Sequence, residues 1–271
     1  MKPYLKAILF LLLAWGLDIL LRNGLLMHFI PLPIPKEYAV FLSYALFTLS
    51  LWLVTRRFIR RDGQELKDLG ISMSRSNRKD FYLGLLFGVF LWGMVSIVQS
   101  YTAGFSWEWR PEISIPSLLH GLVFIFIADL GTELFYRGYP ITRFKESFGQ
   151  NAAILIMTTF VALKSFSLEI SGGLLVFSIL IPALHTIFFS LLYFKTKRLG
   201  AAVGLHTGAN FVTISIFDLR TAEPGQAIPS GLFQADRAIE DLSLIELQLP
   251  WVGMAIALSL LFYFWKGSKS V

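Results

Sequence analysis

Eight predominantly apolar stretches, at about 5–22, 38–55, 81–99, 117–137, 152–170, 173–194, 199–217 and 250–266, dominate this chain. Each is close to the ~20 residues that a helix needs to cross a ~30 Å hydrocarbon layer. In lipid every backbone N–H and C=O must be satisfied within the chain, so apolar stretches of this length are read as helices. The sequence therefore predicts an all-α fold: a polytopic membrane protein of about eight transmembrane helices, forming a single integral membrane domain over residues 1–271. Only 15% of residues are charged and the mean hydropathy is +0.63. Soluble domains carry about a quarter charged residues, so the deficit fits a chain solvated mainly by lipid. No repeat or low-complexity linker divides it.

Basic residues set the expected orientation. Arg56, Arg57, Arg60, Arg61, Lys67, Arg75, Arg78 and Lys79 crowd between the second and third stretches. With that connection in the cytoplasm, both termini fall there too. Arg143 and Lys145, then Lys195, Lys197 and Arg198, then Lys266 and Lys269 lie on the same side. The opposite loop, 218–249, carries Asp218, Glu223, Asp236, Glu240, Asp241 and Glu246 against Arg220 and Arg237. The net charge of +6 is thus an orientation signal, with attraction to anionic lipid heads as a by-product, and no nucleic-acid partner is expected. The N-terminal stretch lacks a small-residue cleavage site and reads as a retained helix rather than a leader. Pro31, Pro33 and Pro35 exclude helix interior and predict an outer loop. A short amphipathic helix is expected around Gln64 to Leu69. With no cysteine, disulfides and thiolate metal sites are excluded, and His28, His120, His185 and His206 are too few for an all-histidine cage.

The informative residues are polar ones inside apolar stretches, where ionisable groups are costly and face the bundle interior. Asp129, Glu133 and Arg137 recur every fourth residue and share one helix face, with Thr132 one residue off it. Glu133 and Arg137 are spaced for a structural ion pair. Lys164 interrupts the fifth stretch, placed either to snorkel to an interface or to neutralise Asp129. His206 and Asn210 lie one turn apart in the seventh, suited to hydrogen bonds between helices. Gly200, Gly204 and Gly208 form a second stripe there, and Gly84 and Gly88 another in the third, each allowing close backbone approach. Asp18 and His185 are lone polar groups without an assigned role.

The string Thr132-Glu133-Leu134-Phe135-Tyr136-Arg137-Gly138 resembles the first motif of the CAAX-protease and bacteriocin-processing (CPBP) intramembrane endopeptidases: two glutamates, three residues, then arginine. Phe160-Val161-Ala162-Leu163-Lys164 has the frame of the middle motif, phenylalanine, three residues, histidine. Leu205-His206-Thr207-Gly208-Ala209-Asn210-Phe211 resembles the later motif, histidine, three residues, asparagine. The motif-bearing core spans about 115–215. The resemblance implies that the first glutamate and middle histidine activate water against a peptide carbonyl. Histidine and asparagine of the later motif then stabilise the oxyanion, and the second glutamate and arginine hold the architecture. No catalytic metal or other cofactor enters that scheme.

Two positions depart from the pattern. Thr132 replaces the first glutamate and Lys164 the middle histidine, and neither side chain serves as a base near neutral pH in its ordinary state. Thr132, Glu133, Lys164, His206 and Asn210 are expected to line one cavity between the cytoplasmic half and the midplane, with Asp129 as a secondary member. Three functions follow. One is a pseudoprotease or membrane binding scaffold. Another is an active peptidase with rearranged groups, in which Glu133 or Asp129 takes over as base or Lys164 serves a Thr132 nucleophile. The last is an ion- or proton-coupled transporter. Expected partners are membrane lipid and a membrane-tethered peptide, lipidated protein or transmembrane helix. The expected location is a prokaryotic plasma (inner) membrane.

Overall fold

Proline at a first helical turn loses no hydrogen bond, and Pro3 opens the first helix this way. In the computed structural model, which describes residues 1–22, 35–167, 171–219, 231–238 and 242–266, that helix is α1 (Pro3–Leu17). It continues as one π-helical turn, Asp18–Arg22. After it come α2 (Lys36–Arg61), a 3-10 turn (Leu66–Leu69) and α3 (Arg75–Ala103). The motif-bearing core is α4 (Ile115–Tyr136), α5 (Tyr139–Phe148), α6 (Gln150–Ser165), α7 (Gly172–Thr196) and α8 (Leu199–Phe211), the last ending in a π turn, Val212–Ile216. Helix α9 (Leu244–Phe264) is the last of the described helices.

The expectation of an all-α membrane fold holds, with two differences in detail. Seven described segments are long and apolar enough to cross a membrane, one of them running through α4 and α5 together. The fifth expected span, 152–170, is represented by α6, whose 16 residues reach only about 24 Å. Its last expected residues, 168–170, lie outside the described ones, as do residues 31–34 of the expected proline loop. The second difference is a small sheet, made by β1 (Trp107–Trp109), β2 (Phe217–Asp218) and β3 (Phe233–Ala235) in the order β1-β3-β2. β1 runs antiparallel to β3, pairing Trp107 with Ala235, and β2 runs parallel to β3. Trp107 and Phe233 lie 5.0 and 5.3 Å from Phe217, ring centre to ring centre. These strands fall in loops, where a hydropathy reading has no signal for them.

Interlocking glycines create the tightest helix pair, α3 against α8. A Cβ on Gly84 would sit 2.5 Å from the Ala201 carbonyl oxygen, and one on Gly88 2.5 Å from that of Leu205. From the other side, Gly200, Gly204 and Gly208 face the backbones of Asn77, Phe81 and Leu85. Both stripes read from the sequence therefore meet each other. The start of α8 is pinned as well: Asn77 accepts from the Gly200 amide at 2.9 Å, and the Gly70 carbonyl accepts from the Leu199 amide at 3.1 Å.

At the basic end of the bundle a latch ties α1 to the turn after α2 and to α5. Asp62 pairs with Lys6, accepts from the Tyr139 hydroxyl at 2.7 Å and lies 3.6 Å from Arg143. Arg143 also donates to Gln64 at 2.6 Å and to Glu146 at 2.8 Å. Burial alone would raise the Asp62 carboxyl's pKa. Its bonds from Lys6 and Tyr139, with the Arg143 and Lys6 charges, outweigh that and hold it below the ordinary carboxylate value. A depressed folded value adds stability that is fully present above the unfolded pKa of ~3.9 and is lost as pH falls through the folded one. We expect Asp62→Asn to destabilise the neutral-pH protein by about 1–3 kcal/mol and to flatten the acid limb of its Tm-versus-pH curve. Melting wild type and variant in detergent from pH 3 to 7 checks this.

Candidate functional site

Every fourth residue of α4 looks the same way, so Asp129, Glu133 and Arg137 form a polar edge along an otherwise apolar helix. The helix is set by Ser114, whose hydroxyl accepts from the Ser117 amide at 3.3 Å, and by Pro116 in the first turn. It stops at Arg137, where Gly138 leads into α5. Helix α8 is built almost entirely of small buried residues, which brings His206 and Asn210 up to that polar edge.

Glu133 is fully buried and is the hub of the first cluster. Its Oε1 accepts from Arg137 Nη1 at 3.0 Å and lies 2.8 Å from His206 Nδ1. Asn210 Nδ2 donates to Asp129 Oδ1 at 2.7 Å, and that oxygen is 3.6 Å from His206 Nε2. The imidazole thus has a carboxylate at each ring nitrogen. With Nδ1–H donating to Glu133, Nε2 is left facing Asp129. Arg137 Nη2 reaches the His185 carbonyl at 3.4 Å, and its guanidinium lies 5.0 Å over the Phe189 ring. Phe189 also lies 4.9 Å from the His206 ring, so one aromatic wall supports both groups. His185 packs among Trp92, Phe188 and Trp251.

A second cluster holds the two positions that depart from the motifs. Lys164 pairs with Asp18 at 2.7 Å, so its partner is neither Asp129 nor an interface, as the sequence suggested. Arg22 Nε lies 2.9 Å from the other Asp18 oxygen. Arg22 Nη1 is 3.5 Å from Thr132 Oγ1, while that hydroxyl donates to the Ala128 carbonyl at 3.0 Å. The Arg22 guanidinium lies 5.2 and 5.0 Å over Tyr44 and Phe47, and the Lys164 ammonium 5.7 Å over Phe135. Being about 100° round the helix from Glu133, Thr132 turns toward α1 while Glu133 turns toward α8.

Of the five motif residues, then, hydrogen bonds and ion pairs join Glu133, His206 and Asn210, with Asp129 and Arg137. Thr132 and Lys164 are joined to Asp18 and Arg22 instead. Asp18 is not a lone polar group, and the sequence held a signal for it. Asp18 and Arg22 repeat, inside the first apolar stretch, the acid-to-base spacing of Glu133 and Arg137.

A bundle of membrane helices with these motif frames in this order resembles the CAAX-type intramembrane endopeptidases. Residues 113–212 match the family model described as "Type II CAAX prenyl endopeptidase Rce1-like". Over that region, α4 to α8, the chain is similar to the CAAX-protease (CPBP) family. No curated protein matches it.

Proposed function

We propose that this chain is a CAAX-protease-like membrane protein that binds a membrane-embedded ligand and does not hydrolyse peptides. The observation that carries this reading is the Lys164–Asp18 ion pair. At the position where the resemblance implies a histidine base stands a lysine ion-paired with a buried carboxylate. Thr132 stands for the implied glutamate and already donates its proton to a backbone carbonyl. The implied oxyanion donors are engaged too: His206 faces Glu133 and Asn210 donates to Asp129. Loss of a general base costs ~10²–10⁴ in rate by itself. The same pairing argues against a threonine nucleophile served by Lys164. On this reading the basic connections face the cytoplasm, with both termini beside them, and the ligand is a membrane-tethered peptide, a lipidated chain end or a transmembrane helix.

The test is cleavage by wild type in vesicles, at enzyme in excess over a panel of prenylated and membrane-tethered peptides, followed by mass spectrometry. We expect no product above that of His206→Ala. Product formation that Lys164→Met or Glu133→Gln removes would overturn the reading.

A further inference from the structure

Two cations and one anion make up the second cluster: Arg22 and Lys164 share the single carboxylate of Asp18. Taken by itself the cluster carries an excess positive charge, and Arg22 also acts on Asp129 of the first cluster. The second cluster's depth follows from helix geometry. Phe10 of α1 packs 5.4 Å from Tyr139. Arg22 lies twelve residues beyond Phe10, about 18 Å along the axis. That puts the cluster inside a ~30 Å apolar layer, where ionisable groups are costly and tend to sit where they have partners. The Asp18 side chain is fully buried, whereas those of Arg22 and Lys164 each remain 20% exposed. The anion is thus covered and the cations are the groups within reach of an incoming molecule.

Donor capacity points the same way. A guanidinium has five N–H groups and an ammonium three. Asp18 and Thr132 engage the Arg22 Nε and Nη1, and Asp18 engages Lys164. Among the described residues, most donors on both cations are left over. The first cluster is the reverse: Arg137 and His206 there face two carboxylates. Aromatic faces of Tyr44, Phe47 and Phe135 back the two cations and hold them in place. The departures from the motif also change the sign of the charge, since neutral threonine and cationic lysine stand where an acid and an imidazole are implied.

We propose that Arg22, Lys164 and Thr132 form a binding site for the oxyanion head of a membrane amphiphile, a carboxylate or a phosphate. The two cations supply charge-assisted bonds, the threonine hydroxyl a further polar contact, and the apolar tail stays in the bilayer. The inference deepens the binding role proposed above and rests on it. Cleavage by wild type would sink that role, whereas the experiment below addresses the site alone.

The experiment uses the full chain in uncharged detergent micelles with a fluorescent long-chain fatty acid and its neutral methyl ester. Phosphatidic acid serves as competitor. The acid is expected to bind at least tenfold tighter than the ester. Lys164→Gln and Arg22→Gln should each weaken it at least tenfold, while Lys164→Arg, which keeps the charge, retains binding. Lys79→Gln, an exposed lysine elsewhere, should leave it unchanged and so separates the site from general surface charge. Displacement by phosphatidic acid assigns the site to phosphate as well as carboxylate heads, and no displacement assigns it to carboxylates. Equal binding of acid and ester, or unchanged acid binding in folded Lys164→Gln and Arg22→Gln, overturns the proposal.

Discussion

Gly204→Leu is expected to leave no folded, monodisperse protein after extraction from the membrane. A Cβ at this position would press into the Phe81 carbonyl oxygen, with the Phe81 carbonyl carbon at 2.8 Å and the Leu85 amide nitrogen at 3.0 Å. Those are backbone atoms of α3, so no rotamer change can relieve the contact. In turn Gly84 and Gly88 meet α8 backbone, so the helices cannot separate locally without losing the whole seam. Ordinary overpacking costs about 1–3 kcal/mol. A clash that must push a pair of helix backbones apart falls in the exceptional class above ~4 kcal/mol. Gly93→Leu on α3 is the control, because a Cβ there meets nothing within 4 Å. Size-exclusion profiles and melting curves of the two variants give the comparison. Equal behaviour would show that α3 and α8 do not approach as closely as the structure has them.

The second large effect is at Glu133. Its carboxylate is fully buried and answers both Arg137 and His206. Glu133→Ala leaves the Arg137 guanidinium, with its side chain only 3% exposed, without its carboxylate. Breaking a buried pair by removing one partner costs about 3–5 kcal/mol, and we expect a destabilisation of that order. Glu133→Ala/Arg137→Met should recover much of it, since the orphaned charge is gone. A double-mutant cycle by denaturation in detergent reads the coupling directly. Additive losses would mean that the two side chains do not depend on each other.

Much of this architecture was legible in the sequence because hydropathy and helical spacing act locally. The apolar stretches mark the helices, and four-residue spacing places Glu133 beside Arg137 and His206 beside Asn210. The glycine stripes announced close packing, although only the structure pairs Gly84 and Gly88 with the α8 stripe. The small sheet was invisible because its strands are two or three residues long and set in loops. Span length was read from hydropathy alone, so 16-residue α6 passed for a full crossing. The partner of Lys164 was missed for a different reason. Asp18 lies far from it along the chain, and nothing local in either helix says which of Asp18, Asp129 or Glu133 the lysine will meet. Only the packing of α1 against the core decides that.

On the proposed reading, this chain keeps a CAAX-protease-like frame in which Lys164, at the position of the implied histidine base, is held by Asp18 next to α1. Restoring the base tests it most directly. Thr132→Glu/Lys164→His, which leaves Asp18 paired with Arg22, would be compared with wild type on the same panel of prenylated and membrane-tethered peptides. The account predicts that the restored variant cuts at a site that wild type leaves intact, and that His206→Ala in the restored background stops it. Cleavage by wild type, abolished by Lys164→Met, would contradict it and make the lysine part of a working catalytic set.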